Sequence, residues 1–183
     1  MARLPILDRT DLPAEHRNLF AVDEDDPDDV NLNIHRVWAN NPNLLDDWGE
    51  WTWSLYDEMG DSRIRELVIL AVARTLECRY VWNQHVSLAA TAGVSSDEIR
   101  AIADGTHSHF SAADRAVIEY AIAIVSEGVE DDSHRAIQRH YDAELVVTIA
   151  FLASEYAQIS MMIDAFDVEL EDSFVGWSPA DQN

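Results

Sequence analysis

The chain contains no lysine, and one cysteine among 183 residues. A single cysteine excludes an intramolecular disulfide and fits a reducing, cytoplasmic setting. With no lysine, all 12 basic residues are arginines, against 35 Asp and Glu, which leaves a formal net charge of −23. That balance excludes a clustered basic face for nucleic-acid phosphates, so no nucleic-acid partner is expected. No apolar run approaches the 18 residues of a membrane span, so no membrane partner is expected. Met1 to Asp8 holds no extended apolar core of the kind a signal peptide needs. Sustained alternation of apolar and polar residues is also missing, which argues against strands.

The acidic excess has a consequence for solvent. Self-repulsion of this size destabilises a compact chain in dilute buffer. At about 1 M salt the Debye length falls to about 3 Å and screens most of it. The composition therefore reads as adaptation to high cytoplasmic salt. The plainer alternative is an acidic protein from a GC-rich mesophile, which also prefers Arg to Lys. Length and a hydrophobic content of 48% suit one globular domain with a real core.

Helical punctuation dominates the rest. Residues 1–34 read as a Pro- and Asp-rich acidic extension, with a short helix started near Pro13. The run Asp23 to Asp29 is interrupted by Pro27 and lacks the ligand spacing and glycine of an EF-hand. Short helical character is expected from Asn31 to Ala39, then a Trp-rich helix from Pro42 to about Met59. Gly60, Asp61 and Ser62 supply a stop and a cap. Core helices follow over about 62–76 and 78–92, closed by Gly93 as the C′ glycine. Ser95 with Glu98 forms a capping box for a helix to about Asp104. Ser111 caps a helix over about 112–127, Ser133 starts a short one to Tyr141, and a long helix covers about 143–164. The expected class is all-α, with a helical domain over residues 35–169 and a tail over 170–183.

Ionisable residues enter apolar surroundings in one stretch, Arg63 to Ala90. Leu67 to Ala73 is uniformly apolar, suited to a buried helix. Glu66 heads that run. On the next helix Cys78, Val81, Trp82, His85 and Ala89 share a stripe at helical spacing. Two helices thus bring a carboxylate and an imidazole toward a common interior.

This stretch, with Asn41-Pro42-Asn43-Leu44-Leu45 before it, Ala92-Gly93-Val94-Ser95 after it and Phe110 to Val117 farther on, resembles the carboxymuconolactone decarboxylase family. That family includes the alkylhydroperoxidase D type of peroxidase, and the resemblance runs from about Asn40 to Glu169. Glu66, Cys78 and His85 match the peroxidase branch, while Val81 stands at its second cysteine. Tyr80-Val81-Trp82 is similar to the aromatic segment of the decarboxylase branch. The resemblance implies a compact helical bundle with a core helical hairpin, and a homo-oligomer, trimer or hexamer.

For chemistry it implies a cofactor-free enzyme acting on a small carboxylated ring or enol-lactone. His85 would be the general acid/base and Glu66 its orienting partner. Tyr80 and Trp82 would line the pocket, and Arg74 and Arg79 are candidate anchors for a substrate carboxylate. Each has a plainer reading. His85 is equally a core histidine, Glu66 a residue favoured by the helix dipole, Cys78 a small packing residue, and Arg79 a solvated side chain. Two functional alternatives stand beside the decarboxylase: a thiol-dependent peroxidase using Cys78 alone, and a non-catalytic helical binding protein. No metal site is expected. His107 and His109 lie in a loop without cysteine, and Glu119, Glu155, Gln158 and Asp164 show no ligand spacing with His.

Overall fold

The computed structural model describes residues 1–20, 31–126 and 128–171. The acidic run Asp23 to Asp29 and most of the expected tail lie outside the described residues. Among the described residues eight α-helices follow in order: α1 Asn33–Trp38, α2 Pro42–Met59, α3 Ser62–Thr75, α4 Arg79–Thr91, α5 Ser96–Ala103, α6 Ala112–Val125, α7 Asp131–Gln138 and α8 Ala143–Phe166. Two 3-10 turns, Arg9–Asp11 and Ala14–Phe20, precede them. Among the described residues there is no strand, so the all-α class holds. The boundaries fall within two or three residues of those expected.

The chain divides into two compact units. One comprises Met1–Ser54 and residues 162–171; the other is Leu55–Met161. In the first, Leu12, Phe20, Ala39 and Leu45 are buried together, with Trp38 and Trp48 against them. His35 packs tilted against both indoles, its ring centroid 6.2 Å from Trp38 and 5.2 Å from Trp48. Burial holds the His35 imidazole down to about 4, with Glu171 pulling the other way. Arg3 donates to the Ala165 carbonyl at 2.7 Å, and Asn33 Nδ2 to that of Glu169 at 3.1 Å.

The second unit is built on α3. Each residue from Leu67 to Ala73 is at most 1% exposed. A helix apolar on every side needs partners on every side, and α3 packs against α4, α6 and, more lightly, α5. Its start is fixed by Asp61, whose carboxylate accepts from the Arg63 and Ile64 amides at 2.9 and 3.3 Å. Arg63 then reaches outward to the Gly93 carbonyl at 2.6 Å, Glu98 at 2.5 Å and Asp114 at 3.1 Å. One guanidinium thereby ties the start of α3 to the end of α4, to α5 and to α6.

Between α3 and α4 the chain turns in three residues. Glu77 takes a left-handed φ of 53°, and the Cys78 amide returns to the Ala73 carbonyl at 2.9 Å while that of Glu77 reaches Arg74 at 3.3 Å. These are the paired bonds of a Schellman motif, with a glutamate where glycine is usual. The same motif closes α4, there with Gly93 at φ 86°. Ser95 and Glu98 form the expected capping box on α5. By length and composition α8 could cross a membrane, but 56% of that window is buried within the protein. Val146, Ile149, Leu152, Ala153 and Tyr156 form that buried face.

Candidate functional site

Glu66 lies five residues past the Asp61 cap and is fully buried, at 0% exposure. A lone carboxylate there is costly unless paired, and it has two partners. Arg65 Nε donates to Oε1 at 3.0 Å. His85 Nδ1, from the inward stripe of α4, meets Oε2 at 2.8 Å. The α3–α4 hairpin thus brings the carboxylate and imidazole into contact, 19 residues apart in sequence.

The far side of the ring is also occupied. The Tyr156 hydroxyl, from α8, lies 3.1 Å from His85 Nε2, and the two rings meet edge to face at 5.1 Å. Tyr156 in turn shares a hydrogen bond with the hydroxyl of Tyr56, from the last turns of α2. Tyr56 closes the circuit, because the Arg65 guanidinium lies over its ring at 4.5 Å from the centroid. Five side chains from α2, α3, α4 and α8, all within the second unit, therefore form one loop.

Proton placement follows from the acceptors. With Glu66 as a carboxylate bonded by Arg65, His85 donates through Nδ1 and accepts through Nε2 from the Tyr156 O–H. Burial pushes Tyr56 up to about 12, with the bond to Tyr156 pulling part of the way back and the Glu66 carboxylate adding to the rise. Burial first, then Tyr56 and Glu66, drive Tyr156 well above the usual phenol value. Both tyrosines therefore keep their protons at neutral pH. The result is a chain of hydrogen bonds from Glu66 through His85 and Tyr156 to Tyr56, with both phenols neutral.

The other expected site residues are placed as follows. Cys78 is a free, buried thiol at the N-cap of α4, with no side-chain cap bond. Tyr80 and Trp82 are both 5% exposed. The Trp82 indole N–H is buried with no hydrogen-bond acceptor among the described residues. It lies three residues before His85, on the same side of α4. Arg74 donates to the carbonyl of Ala103, the last residue of α5, at 2.6 Å, and Arg79 is exposed. Tyr56 and Tyr156 were not expected from the sequence. The available signal was weak: Tyr56 sits among tryptophans, and Tyr156 reads as one more large residue in an apolar helix. No group of three or more His, Cys, Asp and Glu arranged for a metal occurs among the described residues.

Solved structures share the fold. A peroxidase-related protein from Ralstonia eutropha JMP134, described as an alkylhydroperoxidase AhpD core, matches with TM-score 0.77 and 16% identity over 94% of each chain. The debrominase Bmp8, in a cysteine-to-alanine form with 2,3,4-tribromopyrrole, matches with TM-score 0.73 and 17% identity over 93% of this chain and 92% of its own. A peroxidase-related protein from Silicibacter sp. TM1040 matches with TM-score 0.74 and 16% identity over 94% and 92%. No curated protein matches this sequence. Residues 42–123, the span that carries Glu66, Cys78 and His85, match the Carboxymuconolactone decarboxylase family model, and the fold around them is that of the AhpD core.

Proposed function

We propose that the protein is an acid/base enzyme that decarboxylates a small carboxylated ring or enol-lactone without a cofactor. The observation that carries this reading is the clamping of His85 between Glu66 Oε2 and the Tyr156 hydroxyl. Decarboxylation of an unsaturated lactone leaves an electron pair that the ring carbonyl accepts, so the protein must supply an apolar site and one proton. A buried imidazole oriented by a carboxylate and wired to two phenols is suited to that task. The orphaned indole N–H of Trp82 fits a ligand as well, because buried donors without acceptors are rare in native proteins. A substrate carbonyl or carboxylate would satisfy it. The debrominase neighbour binds a small halogenated ring, which supports a ring-sized substrate for this fold.

A thiol peroxidase is less well supported. Both nitrogens of His85 already have partners, and Cys78 lies seven residues earlier, roughly 10 Å along the helix axis. By the family resemblance we also propose a homo-oligomer, a trimer or hexamer, which light scattering in molar potassium chloride would size.

The test is release of carbon dioxide from γ-carboxymuconolactone in molar potassium chloride. The parent and Cys78→Ser should both release it, and His85→Ala should not. Peroxide consumption by the parent that is lost in Cys78→Ser, without carbon dioxide release, would replace this reading with the thiol one.

A further inference from the structure

The hydrogen-bond loop has one accessible edge. Glu66 and Tyr156 are buried, and the His85 side chain is 11% exposed with both nitrogens occupied. Tyr56 and Arg65 are the members that remain partly open, Arg65 with 24% of its side chain exposed. Arg65 uses its inner nitrogen, Nε, on Glu66. Its two Nη groups have no hydrogen-bond partner among the described residues. The guanidinium is held in place from below by the Tyr56 ring and from one side by Glu66, so its outer fork is fixed in orientation. A planar pair of N–H donors is the natural match for a carboxylate.

We propose that Arg65 and Tyr56 are the substrate-contacting residues of this site. Arg65 binds a carboxylate that the substrate keeps, and Tyr56 delivers the proton. The inference rests on the acid/base reading above and puts Arg65 on the carboxylate that stays. The reason is electrostatic. An arginine on the departing carboxylate would stabilise the charge that must leave it, and so favour the ground state over the transition state. The anchor must therefore hold the other one.

The proton sequence balances. The bond from the ring carbon to the departing carboxylate breaks, its electron pair moves toward the ring carbonyl, and carbon dioxide leaves. The ring carbon then takes the Tyr56 hydroxyl proton. The Tyr156 O–H turns to the Tyr56 oxygen meanwhile, one solvent proton restores Tyr56, and His85 keeps its Nδ1–H on Glu66 throughout.

The experiment pairs calorimetric binding of muconolactone with turnover of γ-carboxymuconolactone, both in molar potassium chloride. Muconolactone carries the retained carboxylate and lacks the departing one. Arg65→Gln should weaken its binding about tenfold or more, the scale of a charge-assisted pair. Arg65→Lys keeps a cation beside Glu66 and guards against misfolding; it should show the same loss with its helical circular dichroism intact. Tyr56→Phe should bind muconolactone within about threefold of the parent and lose roughly 100-fold in kcat. Parent-like binding by both Arg65 variants, or no binding by the parent, overturns the anchor. Parent-like kcat in Tyr56→Phe overturns the donor and returns that role to His85. A parent that binds muconolactone through Arg65 but releases no carbon dioxide removes the decarboxylase reading and the donor while the anchor stands.

Discussion

At the scale of single residues, the site shows how far a sequence can be read. Glu66 and His85 were legible because each lies on a helix with a clear apolar face, and one short turn joins the two helices. Local periodicity turned both toward a common interior and the family resemblance paired them, but neither showed that they meet. Tyr156 reaches His85 from 71 residues away, and Tyr56 meets Tyr156 across 100 residues. No local pattern encodes contacts of that range, and both tyrosines look like ordinary packing residues in their own helices. Their importance gives a direct expectation. Tyr156→Phe preserves the ring contact with His85 but strips both neighbours of their partner. It should cost about 1–3 kcal/mol in urea denaturation, the scale for orphaning a buried polar group, and should lower turnover by about 100-fold. Intact turnover would mean that Tyr156 takes no part in the proton transfer.

His35 offers a second residue-scale test. Its folded value near 4 lies below the ordinary 6.5. The unfolded chain therefore takes up a proton first as pH falls. The stability associated with neutral His35 is full above about 6.5 and is lost as pH drops toward 4. The span corresponds to about 3 kcal/mol at most. Comparing urea midpoints of the parent and His35→Phe from pH 7 to 4 isolates this effect from the many carboxylates. The parent should lose more, and parallel curves would show that His35 does not titrate in this window.

At the scale of elements, the caps were the most readable features and the connections between units of packing the least. Ser95 with Glu98 and Gly93 behaved as their spacing indicated, because capping depends on neighbours within four residues. The start of α7 came two residues before the expected Ser133, since Asp131 and Asp132 serve as first-turn acids. Glu98 has a second role that its capping pattern could not reveal, as a partner of Arg63. The two roles can be separated. Ser95→Ala removes only the cap and should cost about 1 kcal/mol, while Glu98→Gln also weakens the clasp on α3 and should cost more. Equal midpoint shifts in a chemical melt would mean the Arg63 bridge adds nothing measurable.

At the scale of the whole molecule, charge is the governing property. A net charge of −23 is spread over a chain with few cations to offset it. Most ion pairs that form are exposed, as with Arg100–Asp97 and Arg135–Asp132, and contribute little. Raising salt from about 0.1 to 1 M shortens the Debye length from about 10 to about 3 Å. That change should relieve the repulsion while leaving the buried Glu66 pairs nearly untouched. The melting temperature should therefore rise by roughly 10 °C or more, a few kcal/mol at this chain length. A cooperative melt insensitive to potassium chloride would sink the high-salt reading. This expectation came entirely from composition.

The three-residue turn at Glu77 also sets a rotational phase. Each residue of an α-helix turns the chain by about 100° and advances it by about 1.5 Å. Leu76, Glu77 and Cys78 therefore act as a vernier between two cylinders, and their count decides which stripe of α4 faces Glu66. One residue added there would swing His85 away and aim a different side chain at the carboxylate. The Cys78 amide, pinned to Ala73, guards that count. The chemistry at this carboxylate can thus change through the identity of residues along α4, but its phase is written in the length of a turn.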